Sequence, residues 1–349
     1  MSRIKFGTGD CDPKGLKALV LGGTGAMGVY LVPELAAMGY EVKVVSCDDV
    51  VSDNPHITYV KADAKDKAYL TELLNEKFDV IVDFLIYTTQ EFRDRYDLLL
   101  QSTGHYIFLS TYRVYDGKET PITENSPRLL DDSNDKEFLA TEDYSLYKAR
   151  EEDLLQKSNY NNWTIVRPAI TYSKRRFQLV TLEANVVVAR ALKGRPVVIP
   201  REALSVQATM NWAGDVAKMF SRLLLKSAAQ RECFTLATAE HHTWGEIAEY
   251  YKEIIGLEYV AVDTEDYLKI LGLSDVNPHP RYQLAYDRLF NRIIDNSKVL
   301  RVTGLKQADF MPLRRGLEKE LSALPKDTVW SGAEWIWENM DDYLKKHQD

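Results

Sequence analysis

The amino-acid sequence predicts an α/β protein, with a doubly wound parallel sheet followed by a smaller mixed α/β lobe. Two observations predict it. Short apolar runs alternate with stretches of helical periodicity between residues 17 and 170, and this alternation is typical of a parallel sheet covered by helices on both faces. Four glycines also occur in GGTGAMG at 22–28, directly after the first apolar run.

The predicted strands are short and apolar, as strands buried on both faces are. They cover residues 17–23, 41–47, 57–63, 78–86, 105–111 and 163–169. Helical spacing of apolar residues predicts helices between them. These helices cover residues 26–38, 66–76, 88–102 and 141–157. The stretch 116–136 is rich in Pro, Asp, Asn and Ser and is predicted to be a loop.

The glycine run has the GxxGxxG spacing and lies between a predicted strand and a predicted helix. In that context Gly22 allows a tight turn, Gly25 lets the main chain approach a pyrophosphate, and Gly28 lets the helix pack on the sheet. The anion is then bound by free N–H groups at the helix N-terminus, where the helix dipole is positive. The run therefore predicts a Rossmann-type dinucleotide-binding domain. The other interpretation is a strand–helix turn that is only glycine-rich.

The end of the second predicted strand bears on the choice between NAD and NADP. An acidic residue there binds the ribose 2′-hydroxyl of NAD, whereas a nearby Arg favours the 2′-phosphate of NADP. Ser46 occupies the position expected for the acid, and Asp48 comes two residues later without an Arg beside it. This pattern favours NAD and leaves NADP open. Asp63, which ends the third predicted strand, is a candidate for contact with the adenine.

Beyond residue 170 the regular alternation ends. Helices are predicted at 177–193 and 243–256, and short strands at 196–200 and 232–238. We expect a Rossmann domain over 1–170, a substrate-binding lobe over 171–325 that shares elements with it, and a docked C-terminal helix over 326–349. The docking side chains of that helix are predicted to be Trp330, Trp335 and Trp337.

Composition argues against several classes of protein. The 349 residues are 45% hydrophobic and 28% charged with a net charge of −8, which is an ordinary globular composition and argues against nucleic acid or an anionic membrane as partner. No apolar run reaches transmembrane length, and the N-terminal residues lack the apolar core of a signal peptide. Cys11, Cys47 and Cys233 are odd in number and widely spaced, which predicts reduced thiols in a cytoplasmic protein and no metal site.

Tyr144 and Lys148 are four residues apart on a predicted helix, so their side chains share one face. A phenol is a weak base at neutral pH. A nearby ammonium group and an oxidised nicotinamide would favour its ionised form. The pair thus predicts Tyr144 as a general acid/base. The same spacing is also common on solvated helices, and the neighbouring Tyr147 has Glu151 at the equivalent distance.

Five segments, taken in their order along the chain, resemble the motifs of the extended short-chain dehydrogenase/reductase superfamily. Within that superfamily the sequence is most similar to the NAD-dependent epimerase/dehydratase family. The resemblance implies that Thr111 hydrogen-bonds the reacting oxygen, Tyr144 exchanges its proton, and Lys148 steadies the phenolate and binds the nicotinamide ribose. The other interpretation of Thr111 is that it only ends a strand. The matching segments are GGTGAMG at 22–28, LSTYRVYDG at 109–117, YSLYK at 144–148, TIVRPAITY at 164–172 and IDNSK at 294–298.

The resemblance also implies a set of cofactor contacts along the ends of the strands, to which Ser46 and Asp63 belong. Because relatives commonly dimerise through an interface that includes the Tyr144 helix, we expect a homodimer. The implied cofactor-binding residues are Gly22, Thr24, Gly25, Ala26, Met27, Gly28, Ser46, Asp63, Ala64, Phe84, Leu85, Ile86, Tyr144, Lys148 and Pro168.

The sequence departs from the family pattern where sugar-nucleotide members bind the diphosphate. Ile170 stands where those members usually have Asn, and Ala208 stands where an Arg is expected. The 4,6-dehydratases of the family have two acidic residues directly after the active-site Thr. In this sequence Tyr112 and Arg113 follow Thr111 instead. The dehydratase reaction is therefore disfavoured.

Arginines offer a different way to bind an anion. Arg113 and Arg176 are candidates for binding a carboxylate or phosphate of the substrate, because guanidinium geometry suits both groups. Arg281 and Arg288, which precede the DNSK segment, are further candidates. The other interpretation of the basic run at 174–176 is a solvated charge cluster.

Three functional hypotheses follow. The leading hypothesis is an NAD-dependent epimerase or oxidoreductase that acts on a sugar or sugar nucleotide. The second is an NADPH-dependent carbonyl reductase of a small anionic substrate. The third is a non-catalytic RNA-binding protein, since the second half also resembles atypical plastid relatives that bind RNA. The negative net charge and the complete set of Thr111, Tyr144 and Lys148 oppose the third.

Overall fold

The computed structural model describes residues 12–274, 276–325 and 328–347. Its strands, in chain order, are β1 (Lys17–Leu21), β2 (Glu41–Ser46), β3 (Ile57–Lys61), β4 (Phe78–Asp83), β5 (Thr103–Leu109), β6 (Trp163–Pro168), β7 (Ile170–Tyr172), β8 (Gln178–Leu179), β9 (Leu182–Glu183), β10 (Val197–Pro200), β11 (Gln207–Ala208), β12 (Met210–Trp212), β13 (Glu232–Leu236), β14 (His242–Thr243) and β15 (Tyr259–Val262).

The α-helices alternate with these strands in the first part of the chain and predominate towards its end. In chain order they are α1 (Gly28–Ala37), α2 (Lys67–Leu74), α3 (Thr89–Arg93), α4 (Tyr96–Gln101), α5 (Leu129–Asp132), α6 (Lys136–Leu139), α7 (Tyr144–Gln156), α8 (Ala184–Ala191), α9 (Ala213–Ser221), α10 (Trp244–Ile255), α11 (Thr264–Ile270), α12 (His279–Gln283), α13 (Ser297–Thr303), α14 (Leu313–Ser322) and α15 (Glu334–Lys346).

The central sheet has seven strands in the order β13-β6-β5-β4-β1-β2-β3, and every adjacent pair is parallel. β1 and β4 are adjacent although two strands separate them in the chain, so the strand order reverses between them. In doubly wound sheets, ligands bind at the carboxyl ends of the strands on either side of such a reversal. The predicted Rossmann-type sheet is confirmed, and its geometry places a crevice beyond Leu21 and Asp83.

Helices cover both faces of the sheet, which explains why its central strands β1 and β4 are largely apolar and buried, whereas the edge strand β3 is partly exposed. On one face α1 and α9 pack together through side chains such as Leu35 and Phe220. On the other face Leu70 of α2, Phe92 of α3 and Leu155 of α7 pack against the strands. Burial on both faces removes a continuous apolar surface from water, which is the main stabilising contribution to such a sheet.

The rest of the chain forms the mixed lobe that the sequence predicts. It contains parallel pairs β10–β15 and β7–β12 and antiparallel pairs β11–β14 and β8–β9. Its apolar core is continuous with residues that follow β5, among them Tyr112 and Ile122. Three elements beyond residue 170 belong to the central sheet and its layers: β13 is an edge strand beside β6, α9 packs on α1, and α13 contributes Val299 to the same core. The division at residue 170 stays a prediction.

Two predicted helices differ from the observed ones. The helix predicted at 88–102 is two helices, α3 and α4, separated by Asp94 and Arg95. The helix predicted at 177–193 is wrong in its first half, because only Ala184–Ala191 is helical. The chain before it forms the β8–β9 hairpin, in which Val180 has a φ of +54° that an α-helix cannot contain. The apolar residues of that segment are buried as a hairpin and not as a helix face.

The terminal helix α15 docks on the lobe. The indole of Trp337 donates to the carbonyl of Asn185 at 2.9 Å, and Met340 is fully buried. Trp335 is 48% exposed, so the predicted docking by three tryptophans is uneven. Of the residues named in the sequence predictions, Cys11 lies outside the described part of the chain, as do positions 326, 327, 348 and 349 of the predicted terminal segment.

Cys47 and Cys233 are free thiols, as predicted. Across the ranges that the structure describes, every helix is too short or too polar to cross a membrane.

Candidate active site

The glycine loop connects β1 to α1 at the carboxyl edge of the sheet. Gly22 has a φ of +72° and donates its N–H to the carbonyl of Val45 at 2.8 Å, which ties the turn to β2. A Cβ on Gly28 would lie 2.1 Å from the carbonyl oxygen of Gly23. The start of α1 therefore packs on the loop at a distance that only glycine permits.

The loop leaves an open face where a diphosphate would lie. A Cβ on Gly25 would meet only the Gly22 carbonyl oxygen, at 3.8 Å, and Gly25 is exposed. Within the described chain, the N–H groups of Ala26 and Met27 have no backbone acceptor. An exposed glycine beside unpaired N–H groups at the start of a ten-residue helix fits a bound pyrophosphate.

Ser46, at the end of β2, is bonded to the glycine loop. Its Oγ lies 2.7 Å from Oγ1 of Thr24 and accepts the N–H of Asp48 at 3.1 Å. At the end of β3, Asp63 is exposed, accepts the N–H of Lys65 at 2.8 Å and is followed by the buried Ala64. The predicted adenosine contacts thus lie along one edge of the sheet beside the loop.

The segment after β4 is held by a buried carboxylate. Asp83 accepts the hydroxyl of Tyr106 at 2.9 Å and the N–H of Leu85 at 3.0 Å. Burial raises the pKa of Asp83, and these hydrogen bonds oppose the rise. The N–H of Phe84 is bonded to Leu21 at 3.0 Å. Ile86 is 56% exposed beside the loop, an apolar surface that a bound cofactor would cover.

A cavity of about 510 Å³ opens between the sheet edge and the lobe. It brings together side chains that are far apart in the sequence. Met27 of the glycine loop, Thr111 after β5, Tyr144 at the start of α7 and Pro168 at the end of β6 all line it. Residues at the carboxyl ends of three predicted strands and the predicted acid/base Tyr144 therefore line the same cavity.

Tyr144 is the first residue of α7, and its position is fixed by the helix cap. Asp143 accepts the N–H of Ser145 at 3.0 Å, which satisfies a free donor of the first turn. The guanidinium of Arg113 lies 5.2 Å from the centre of the Tyr144 ring, over its face. Thr111 is buried, and its Oγ1 accepts the N–H of Arg113 at 3.2 Å.

Lys148 shares a helix face with Tyr144, but its ammonium group points into the protein interior. The Nζ lies 3.0 Å from Oε2 of Glu151 and 4.6 Å from the centre of the Phe108 ring. The side chain is 1% exposed, and Lys148 is not among the described residues that line the cavity. Its predicted contact with the nicotinamide ribose stays a prediction.

A second buried carboxylate joins the elements that carry the site. Glu152 of α7 accepts two hydrogen bonds from the Arg167 guanidinium on β6, at 2.8 and 2.7 Å. It also accepts the hydroxyl of Ser110, the residue before Thr111, at 2.5 Å. The segments that carry Thr111, Tyr144 and Pro168 are therefore joined by the buried pair of Glu152 and Arg167, and Arg128 lies 3.2 Å from the same carboxylate.

Three of the four candidate substrate arginines line the cavity, namely Arg113, Arg176 and Arg288. Arg288 is buried at the end of the π-helical turn Leu284–Arg288 and donates to the Tyr112 hydroxyl at 3.2 Å. Single π-helical turns are frequent at functional sites. Burial lowers the pKa of the Arg288 guanidinium. Arg281 lies elsewhere, in an exposed pair with Glu265 at 3.3 Å.

Three arginines, Arg113, Arg288 and Arg292, cluster around Asp287 at this end of the cavity. Asp287 lies 3.5 Å from Arg113 and 3.1 Å from Arg292, and it also contacts Arg288. Asp143 lies 3.7 Å from Arg113. Arg113 and Arg288 also line the cavity, where their guanidinium groups could bind an anionic ligand group.

Sequence reasoning missed several polar residues of the cavity. Gln178 and Glu183 lie in the segment that was predicted as a helix, and Gln283 lies on a short helix near Arg288. Glu183 forms an ion pair with Arg176 at 3.3 Å. No motif in the sequence distinguishes these residues from surface polar residues, so only the fold could identify them.

A glycine loop at the reversal of a seven-stranded parallel sheet, facing a Thr and a Tyr across a cavity, defines a dinucleotide-binding protein of the Rossmann class. The family model described as "NAD dependent epimerase/dehydratase family" matches residues 18–236, and the chain belongs to that family. NAD is accordingly the cofactor, and the open face at Gly25 with the free N–H groups of Ala26 and Met27 fits it.

Solved structures with the same fold cover nearly the whole chain. An epimerase from Methanothermobacter thermautotrophicus is 16% identical, with 96% of each chain covered and a TM-score of 0.66. A UDP-glucose 4-epimerase of Thermus thermophilus in complex with NAD is 19% identical, with 88% of this chain and 98% of that chain covered and a TM-score of 0.64. The enzyme WbmH of Bordetella bronchiseptica in complex with NAD+ is 14% identical, covers 88% and 97%, and has a TM-score of 0.65.

At these identities the likeness shows the fold alone. A comparison with curated protein sequences found no significant match.

Proposed function

We propose that this protein is an NAD-dependent epimerase or oxidoreductase that acts on a hydroxyl or carbonyl group of a sugar or sugar nucleotide. One observation carries the proposal: Met27 of the glycine loop, Thr111 and Tyr144 line the same cavity. A cofactor on the glycine loop would therefore extend towards the two hydroxyl groups that can bind a reacting oxygen. NAD, when bound, supplies the hydride acceptor.

The chain's own residues would orient the substrate and move one proton. Tyr144 takes the proton of the substrate hydroxyl through its phenolic oxygen and returns it when the oxygen is reprotonated. Thr111 donates its hydroxyl hydrogen to the same substrate oxygen, and Glu152 keeps the segment that carries Thr111 in place through Ser110. Placement of both groups around one oxygen supplies most of the catalytic effect expected of the protein.

The arginines support a substrate with a negatively charged part. On the cavity wall Arg113 lies over the Tyr144 ring and Arg288 contacts the Tyr112 hydroxyl, whereas Arg176 is 38% exposed. Such an array suits the phosphates of a sugar nucleotide or the carboxylate of a uronic acid. Arg113→Gln and Arg176→Gln are expected to raise the Michaelis constant for the substrate, and unchanged constants would remove this part of the proposal.

The experiment that tests the proposal is mass spectrometry of small molecules released from gently purified protein, followed by substrate addition. We expect NAD to be released. We also expect nucleotide sugars, with neutral or carboxylated hexoses, to change the nicotinamide absorbance of the loaded protein. NAD without any response to sugars would contradict the substrate class.

The second candidate is an NADPH-dependent reductase of a small anionic carbonyl compound. It is favoured by one observation, namely that Ser46 and not a carboxylate ends β2. Exchangeable NADPH and a product that leaves with each turnover would identify it. Salt-dependent retention of RNA without cofactor binding would instead favour the RNA-binding hypothesis. A cytoplasmic location and a homodimer stay predictions, and light scattering of the purified protein tests the second.

A further inference from the structure

The ion pair of Lys148 with Glu151 is an unusual feature of this site. Both side chains are buried, at 1% and 0% exposure, and the pair is three residues apart on α7. Lys148 is the residue expected to bind the nicotinamide ribose, yet its ammonium is held by a carboxylate on the interior side of the helix. The ammonium group that is expected to bind the cofactor is therefore already paired with the Glu151 carboxylate.

Neither group has a stronger alternative partner in the described part of the chain. The Lys148 Nζ and both Glu151 carboxylate oxygens lack a well-directed hydrogen bond there, although 3.0 Å separates the two charges. A buried charge without a partner is strongly disfavoured. The Lys148 ammonium group consequently stays paired with Glu151 unless another hydrogen-bond acceptor replaces that carboxylate. The ribose hydroxyl groups of a bound cofactor are such acceptors.

The charge of Glu151 responds to pH near neutrality. Burial raises its pKa to about 7, and Lys148 opposes the rise. The other titratable groups that interact with it are Asp83 on β4, Tyr87 after β4, Tyr106 on β5, and Glu142 and Tyr147 near or on α7. Burial raises the pKa of Asp83, Tyr87 and Tyr106 as well, so a rise in pH adds charge to Glu151 before it ionises the tyrosines.

We propose that Glu151 is a positioning residue that retains Lys148 in the interior and sets how readily its ammonium group reaches the cofactor ribose. The proposal rests on the proposed function, because it assumes that Lys148 binds the cofactor. When Glu151 is ionised, the ammonium group must leave a carboxylate in order to bind NAD. When Glu151 is protonated or replaced by a neutral residue, that competition ends and NAD binds more tightly.

The test is the dissociation constant of NAD+ for the full-length protein, measured by calorimetry between pH 6 and 8. We expect the wild-type constant to rise with pH by about fivefold or more, the size of a typical coupling between linked equilibria. The dissociation constant of Glu151→Gln for NAD+ is expected to equal the low wild-type value of pH 6 at every pH. Glu137→Gln removes an exposed carboxylate of α6 that is not among the groups acting on Glu151 and is expected to keep the wild-type pH dependence.

A wild-type constant that does not change with pH would overturn the inference, as would weaker binding in Glu151→Gln. A pH dependence that persists in Glu151→Gln would assign it to Asp83 and also overturn the inference. If Glu151→Gln does not fold, the double variant Lys148→Met with Glu151→Gln leaves neither charge buried, and its constant must be independent of pH. Absence of any NAD+ binding to the wild type would overturn the proposed function itself.

Discussion

The Ser46 hydroxyl lies 2.7 Å from the Thr24 hydroxyl, so the end of β2 is hydrogen-bonded to the glycine loop. No carboxylate stands at this end of the strand to select the ribose 2′-hydroxyl of NAD. We expect Ser46→Asp to increase the preference for NAD+ over NADP+ by about tenfold or more, because the new carboxylate would repel a 2′-phosphate. Dissociation constants of both cofactors, measured by calorimetry, check this.

The matched control is Asp53→Asn, which changes an exposed carboxylate farther along the connection between β2 and β3. An unaltered ratio of the two constants in Ser46→Asp would mean that the cofactor ribose does not lie at the end of β2.

Gly25 and Gly28 are expected to respond differently to alanine. A Cβ at position 25 meets only one atom, at 3.8 Å, whereas a Cβ at position 28 would lie 2.1 Å from a backbone oxygen. Gly25→Ala should therefore keep the melting temperature and weaken NAD+ binding about tenfold or more, since the methyl group occupies the pyrophosphate face. Gly28→Ala should lower the melting temperature. Equal effects of the two changes on stability would contradict the packing described for the loop.

Tyr144→Phe is expected to lower hydride transfer about 10²–10⁴-fold while NAD+ binding stays intact, because the phenolic proton is lost and the ring is kept. Tyr147→Phe is the control, since it removes a hydroxyl from the same helix turn. The measurement is the rate at which a nucleotide sugar that reacts with the wild type changes the nicotinamide absorbance. A reduced rate in Tyr147→Phe together with an unchanged rate in Tyr144→Phe would assign the acid/base role to Tyr147.

Arg167 is predicted to be important for stability as well as for the site. It is 3% exposed and paired with the fully buried Glu152. Arg167→Met should lower the free energy of unfolding by ~1.5–3 kcal/mol, because Glu152 loses two charge-assisted hydrogen bonds and keeps Arg128, at 3.2 Å, as its remaining cation. Lys157→Met removes a 77% exposed partner of Asp153 on the same helix and should cost under ~1 kcal/mol. Chemical denaturation of both variants checks the difference.

His105 should make the protein less stable as pH falls. Its Nδ1 accepts the N–H of Leu225 at 2.9 Å, so the buried ring is neutral, and burial lowers its pKa from the ordinary 6.5 to about 3. Between these values the unfolded chain binds a proton that the folded chain does not. The stabilising contribution is complete above pH 6.5 and decreases by ~1.4 kcal/mol for each unit below it.

Denaturation curves between pH 7 and pH 4 measure this effect. His105→Asn is expected to be less stable at pH 7 and to lose less stability on acidification than the wild type. His56→Asn, at a histidine that is 54% exposed, is expected to follow the wild-type curve. A wild-type free energy of unfolding with the same pH slope as His105→Asn would contradict the prediction.

The sequence identified the parts of the site that depend on short-range pattern. The strand–glycine–helix pattern located Gly22, Gly25 and Gly28, and the four-residue spacing placed Tyr144 and Lys148 on one helix face. Both conclusions follow from local geometry, since a helix or a parallel strand fixes the direction of successive side chains. The regular alternation of strands with helices predicted the parallel sheet, whereas the order of strands in that sheet, with β13 at its edge, was not predicted.

The rest of the site depends on contacts that no local pattern specifies. The inward direction of Lys148 comes from Glu151, which the sequence showed only as a neighbour of Tyr147. Arg288 lines the cavity from the end of a π-helical turn, and such a turn has no sequence signal comparable to a cap. The hairpin at Val180 replaced a predicted helix because the lobe buries its apolar residues on both sides.

The edge strand β13 has a consequence for how the chain is made. Among the described strands it pairs with β6 alone, it is synthesised some 60 residues after β6, and the lobe strands β7 to β12 lie between them in the chain. A nascent or truncated chain that ends near residue 170 would present the open side of β6 to other chains, a template for aggregation. The dinucleotide-binding unit is therefore not separable by cutting the gene at the apparent boundary, and expression of the first 170 residues alone should give insoluble material.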